Sequence, residues 1–304
     1  MTVRVLLLVL TAAGLAIPAP SNGQQHSAAA DHVAFVVAGK TVNYRQPPQA
    51  NDPSPTLLNH HFFAEIFLKP NGRVGHARIA LPGPDGRVID FEEGASVLEA
   101  HGGRYMTKTV LDRDYPAGEY VFRYRLPGGK EIAHPVALRR SGHMRLPDPI
   151  SIKLSQDGMR VEAIAVDPNK DLVVRWSAFA NAADDPGGIV DDLIFVFMGD
   201  CQGNKLAHSG GPFGEGSFLT HRDRSYAIPA EKLDAARTYQ LAVEHAVVET
   251  NRHRDIPGLA TFATTSFLDF RTRGSGDASC PDGDPIPMDK GMTDRYDARE
   301  QFIR

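Results

Sequence analysis

DLVVRWSAF, Asp171 to Phe179, holds the single tryptophan of the chain. In an extended strand successive side chains point to opposite faces, so Leu172, Val174 and Trp176 share one face while Val173, Arg175 and Ser177 share the other. An indole in aliphatic company, backed by an arginine and a serine, reads as the packed centre of a β-sandwich rather than a ligand platform.

The same grammar extends on both sides. HFFAEIFLK (61–69) runs into PNGR, HARIAL (76–81) into PGPDG, and GEYVFRYR (118–125) into LPGGK. Each break supplies a proline that presets φ or a glycine that accepts positive φ, which is turn chemistry and not helix capping. In EYVFRYR, Tyr120, Phe122 and Tyr124 fall on one face and Val121, Arg123 and Arg125 on the other, which makes the aromatics a core face and not a stacking platform for sugars. Later blocks (ISIKL, MRVEAIAV, DDLIFVFM, RTYQLAVEHAVVE, ATFATTSFLDFR) continue the β pattern, and only 97–100 and 230–236 offer short helical stretches. The fold class is all-β.

With 304 residues the length prior is about two domains, and 28 glycines and 22 prolines fit a turn-rich fold. We expect two tandem β-sandwich domains, 33–140 and 150–273, joined by a Gly- and Pro-containing linker at 141–149 (SGHMRLPDP). Residues 24–32 read as a flexible leader and 274–304 as a flexible, polar tail.

MTVRVLLLVLTAAGLAIPAPSNG, residues 1–23, has one cation at Arg4, an apolar run too short to cross a bilayer, and small residues after it. It reads as a secretory signal peptide cut after Gly23, which places the chain in the periplasm or outside the cell with no membrane span in the mature chain. Cleavage moves the formal net charge from -4 to -5, and no basic run is present, so nucleic acid is not an expected partner. In an oxidising compartment Cys201 and Cys280 read as one disulfide, worth roughly 3–5 kcal/mol in the loop-entropy picture.

Trp176, together with Leu233 six residues before Tyr239 in EKLDAARTYQLAVEHAV, resembles a fibronectin type III domain. The resemblance implies that Trp176 is the core indole and that Leu233 and Tyr239 form a tyrosine corner, the phenol bonded back to the main chain. DYPAGEYVFRYRLPGGKE in the first half is similar to a generic bacterial immunoglobulin-like sandwich. Neither family carries an intrinsic catalytic site.

Chemistry-bearing motifs are few. Asp184, Asp185, Asp191 and Asp192 in DDPGGIVDD form an acidic loop that calcium could use, without the ordered spacing of a known calcium loop. The twelve histidines lack HExxH or HxH spacing; adjacent His60 and His61 point to opposite faces, and His221 and His253 sit beside arginines. Ser209 in AHSGGPFGEG lacks the first glycine and the helix of a nucleophile elbow.

The expected function is therefore an exported, non-catalytic binding, adhesion or scaffolding protein. Its expected surface for a protein or polysaccharide partner is the loops at the sandwich ends, chiefly 184–192 and 202–220. One alternative is a secreted enzyme or accessory protein acting on a polymer, which calls for exposed aromatics on a sheet face or a pocket of carboxylates. The other is a calcium-stabilised structural protein. No other cofactor is expected.

Overall fold

A computed structural model describes residues 27–48, 54–139, 142–200, 204–214 and 216–275. The signal segment, both cysteines and most of the tail lie outside the described residues. The first half supplies β1 (Val33–Gln46), β2 (Thr56–Leu68), β3 (Gly75–Ala80), β4 (Val88–Asp90), β5 (Glu92–Glu93) and β6 (Val97–Tyr105). Helix α1 (Lys108–Asp114) follows, then β7 (Gly118–Arg125) and β8 (Glu131–Leu138). The second half supplies β9 (Ile152–Gln156), β10 (Met159–Val161), β11 (Leu172–Trp176), β12 (Leu193–Asp200) and β13 (Lys205–His208). It ends with β14 (Leu219–Thr220), β15 (Ser225–Ile228), β16 (Thr238–His253) and β17 (Ile256–Arg271).

The all-β sandwich is as expected, and its two halves share a sheet. One nine-stranded sheet runs β13-β12-β16-β17-β1-β2-β6-β5, with β14 also paired to β12. Its two halves join where β1 pairs parallel with β17, from Val36 opposite Gly258 to Gln46 opposite Leu268. Two four-stranded sheets, β4-β3-β7-β8 from the first half and β10-β9-β11-β15 from the second, complete the fold. A single hydrophobic cluster spans both halves, from Phe62, Tyr120 and Phe122 to Trp176, Val196 and Leu241.

The expected linker is likewise part of the body. Met144 is buried, Thr264 Oγ1 donates to the Pro147 carbonyl (2.6 Å), and the Gln46 side chain clamps both the N–H and the carbonyl of Ile152 (2.7 and 2.8 Å). The tip of the β16–β17 hairpin also reaches the first half, where Asn251 Nδ2 donates to the Pro135 carbonyl (2.8 Å). That hairpin turns through two left-handed residues, Arg254 (φ 51°) and Asp255 (φ 64°), the backbone that a two-residue turn between twisted strands requires.

Strand burial follows the sequence pattern. Tyr120, Phe122 and Tyr124 of β7 are all buried and their alternates are not. Trp176 is 7% exposed, opposite Ile152 of β9. Leu233 is buried, and the Tyr239 hydroxyl accepts the Asp234 N–H at 2.6 Å. A second such corner lies in the first half, where Tyr120 donates its hydroxyl proton to the Pro116 carbonyl (2.8 Å).

Two local expectations are corrected. Residues 97–100, read as a possible helix, belong to strand β6, because Leu98 and Ala100 alternate into the core and pair with β2. Among the described residues the one α-helix is α1, which starts where Thr107 Oγ1 accepts the Val110 N–H (3.4 Å) and stops ahead of Pro116. The 230–236 stretch holds only the 3-10 turn Ala230–Lys232.

Candidate functional site: a trough on the long sheet

In a sandwich the outward face of a sheet usually meets water and carries polar side chains. Here the face of the long sheet turned away from the shared core is predominantly apolar. β1 presents Phe35 and Val37, β2 presents Phe63 and Phe67, and β12 presents Leu193 and Phe195. Small residues lie between them, Ala246 on β16 and Ala263 on β17. The sheet curls so that these residues wall a trough enclosing about 330 Å³, the lower end of the range for small-molecule sites.

Gly39 shapes the floor. A methyl group there would lie 2.6 Å from Phe63 Cζ and would also collide with Thr261 Cγ2, so only glycine lets the Phe63 ring lie across β1. At one end Phe35 stacks on Phe67 with centroids 4.2 Å apart. The glycine-rich connection closes over this end: Gly211 and Pro212 line the trough, and the Phe213 ring sits 5.0 Å from that of Phe35.

Three glutamates share this apolar enclosure. Glu65 of β2 stands opposite Glu99 of β6, and Glu244 of β16 accepts the Thr265 hydroxyl proton at 2.7 Å. Burial first, then the neighbouring Glu99 and Glu244 carboxylates, raise the Glu65 pKa to about 8. Burial raises Glu244 to about 7 against the opposing Thr265 hydrogen bond. Both side chains keep part of their surface open to the cavity, so a ligand or water can reach them.

The imidazoles nearby are held by neighbours. Arg104 Nη1 donates to His61 Nδ1 (2.6 Å), and His101 Nε2 lies 3.5 Å from Glu99 Oε2. His208 accepts the Gly210 N–H on Nδ1 (2.9 Å), and burial plus the Lys205 charge lower its pKa to about 4. The trough thus offers a greasy body and a few carboxyl groups, a surface suited to an apolar molecule with one polar head.

The residues singled out by sequence lie elsewhere. In the acidic loop, Asp185 accepts the Gly187, Ile189 and Val190 amides and the Thr250 hydroxyl, and Asp192 accepts the Ala183 and Val248 amides. Asp184 and Asp191 pair with Arg222, so a guanidinium supplies the positive charge in this loop. Among the described residues no three His, Cys, Asp or Glu side chains are arranged to hold a metal ion. The Cys201–Cys280 pairing falls outside the described residues. Ser209 is buried and its hydroxyl accepts the Val196 N–H (2.9 Å), a structural role. Of the two expected loops, only 202–220 touches the trough, through Lys205, His208, Gly211, Pro212 and the Phe213 contact.

Glu65, Glu99 and Glu244 went unread in the sequence. The signal for Glu65 and Glu244 is a glutamate inside runs apolar on both sides, HFFAEIF and QLAVEHAVV, where an ordinary half-buried strand would show several polar alternates.

The molecule is an all-β sandwich protein. Among its described residues no helix is long and apolar enough to cross a membrane. No family model and no curated protein matches the chain. Solved structures with some likeness include one on host cell surface retention of a 1.5-MDa bacterial ice-binding adhesin (9% identity, 81% of this chain, 67% of that one, TM-score 0.22). Others are murine CEACAM1b (9%, 77% and 98%, TM-score 0.17) and chicken CNTN1 domains FN1–FN3 (11%, 79% and 68%, TM-score 0.20).

Proposed function

We propose that this is an exported, non-catalytic binding protein whose ligand occupies the trough of the long sheet. The observation that carries the reading is the apolar, cavity-forming face where a sandwich normally meets water. The N-terminal apolar segment supports export. In the second half, β10-β9-β11-β15 faces β13-β12-β16-β17, with a tyrosine corner before β16; this order supports the fibronectin type III-like reading of that half. Binding shifts from the sandwich-end loops to a sheet face, with the 202–220 connection as its rim.

N-phenyl-1-naphthylamine, a neutral apolar fluorophore, tests this. We expect saturable binding at one site with blue-shifted emission, abolished by Ala246→Phe, which fills the floor without adding charge. Unsaturable, weak fluorescence unchanged by that substitution would remove the trough as a binding site.

The shared glutamates give the polymer-acting enzyme a specific foothold. Hydrolysis by a carboxyl pair needs one group protonated and its partner ionised, set by environments that push the two pKa values apart. Here burial moves Glu65 and Glu244 in the same direction. Binding is therefore the better-supported reading, and polysaccharide turnover lost in Glu65→Gln would replace it with catalysis.

A further inference from the structure

Three glutamates in a wall of phenylalanine are costly, because each carboxylate must shed water or hold its proton. We propose that the ligand of the trough is an apolar organic cation, an alkyl- or arylalkylamine, whose ammonium sits among Glu65, Glu99 and Glu244 while its hydrocarbon lies against Phe35, Phe63 and Phe67. The inference rests on the trough being the binding site and names the ligand class.

Charge sets the sign. A carboxylate ligand would meet three glutamates, and a neutral ligand would leave their desolvation uncompensated, whereas an ammonium offsets it. A second observation points the same way. Thr261 lines the trough, is 5% exposed, and its buried hydroxyl has no hydrogen-bond partner among the described residues, a polar group that an ammonium N–H would satisfy once the ligand is seated. The phenylalanine faces add cation–π attraction. The cation is organic because, among the described residues, the carboxyls are not spaced as metal ligands, and the phenylalanines beside them suit a hydrocarbon body.

The other ionisable groups facing the trough are His61, with Arg104 against it, His101 beside Glu99, and His208 and Lys205 on β13. An alkylamine keeps its proton to about pH 10, as lysine does, so only the protein titrates between about pH 6 and pH 8.5. Ammonium binding displaces protons from Glu65 and Glu244, and affinity rises with pH across that window.

The experiment is displacement of N-phenyl-1-naphthylamine by n-octylamine, n-octanol and n-octanoate at about pH 6 and about pH 8.5. At the higher pH octylamine should displace the dye at a concentration about tenfold below octanol, with octanoate weakest, and the preference should shrink at the lower pH. Glu65→Gln/Glu244→Gln should lose the preference for amine over octanol, read as the ratio of the two displacing concentrations. Should that pair fail to fold, each single substitution, checked by circular dichroism, should reduce the amine-to-octanol ratio. Equal displacement by amine and alcohol, or strongest displacement by octanoate, overturns the cation while saturable dye binding keeps the trough. Failure of the dye to bind removes the trough, and the cation with it.

Discussion

Glu65→Gln should make the protein more stable, and increasingly so as pH rises. Glu65 has a folded pKa of about 8 against an ordinary 4.5, so between these values the folded chain holds a proton that the unfolded chain has released. The folded state's advantage from this group is whole below about pH 4.5, erodes as pH climbs, and is gone above about pH 8. Glutamine has the same shape and no proton to lose. Each pKa unit is worth about 1.4 kcal/mol; after discounting for the part of the side chain that meets the cavity, the gain should be roughly 2–4 kcal/mol above pH 8 and near zero at pH 4.5. Urea midpoints of the two proteins at both pH values measure it. Equal stability at pH 8 would mean that Glu65 is solvated and ionised in the folded state.

The opposite pH limb belongs to buried histidines. Burial holds His134 near a pKa of about 4 and His245, stacked on Phe179, near about 3, both below the ordinary 6.5. Their stability contribution is present above about pH 6.5 and is lost as pH falls, so the protein weakens at both ends for different groups.

Trp176→Ala should cost about 3–5 kcal/mol, the usual toll for removing a packed aromatic that leaves a cavity. The indole is 7% exposed and belongs to the cluster that also holds Phe62, Tyr120 and Phe122 of the first half. Because that core and the β1–β17 pairing join the halves, the loss should appear in one transition. Near-ultraviolet signals from Tyr120 and Tyr124 should then disappear at the same lowered urea midpoint as the far-ultraviolet signal. A cost under about 1 kcal/mol, or a first half that unfolds at its original midpoint, would contradict a shared core.

Strands covered on one face were legible in the sequence. β7 and β11 alternate cleanly, and Trp176, Leu233 and Tyr239 marked the second sandwich because their roles depend on short-range spacing. The union of the halves was not legible, since no local pattern reports that β1 pairs parallel with a strand from the far end of the chain. The trough was hidden for a related reason. A strand apolar on both faces, such as β12 or β17, reads the same whether its second face meets a core or a cavity, and the lone Glu65 and Glu244 in their apolar runs are placed together only when the sheet curls around them. Helix α1 escaped because seven residues give too few turns to show a period.

The central claim is that binding happens on the outward face of the long sheet. Two-dimensional ¹H–¹⁵N correlation spectra of the labelled protein, titrated with N-phenyl-1-naphthylamine, test it most directly. We expect the largest shifts at the amides of Gly39, Ala246, Thr261 and Ala263, with little change in the acidic loop 184–192. Shifts concentrated in that loop, or no saturable shifts on the sheet face, would contradict it.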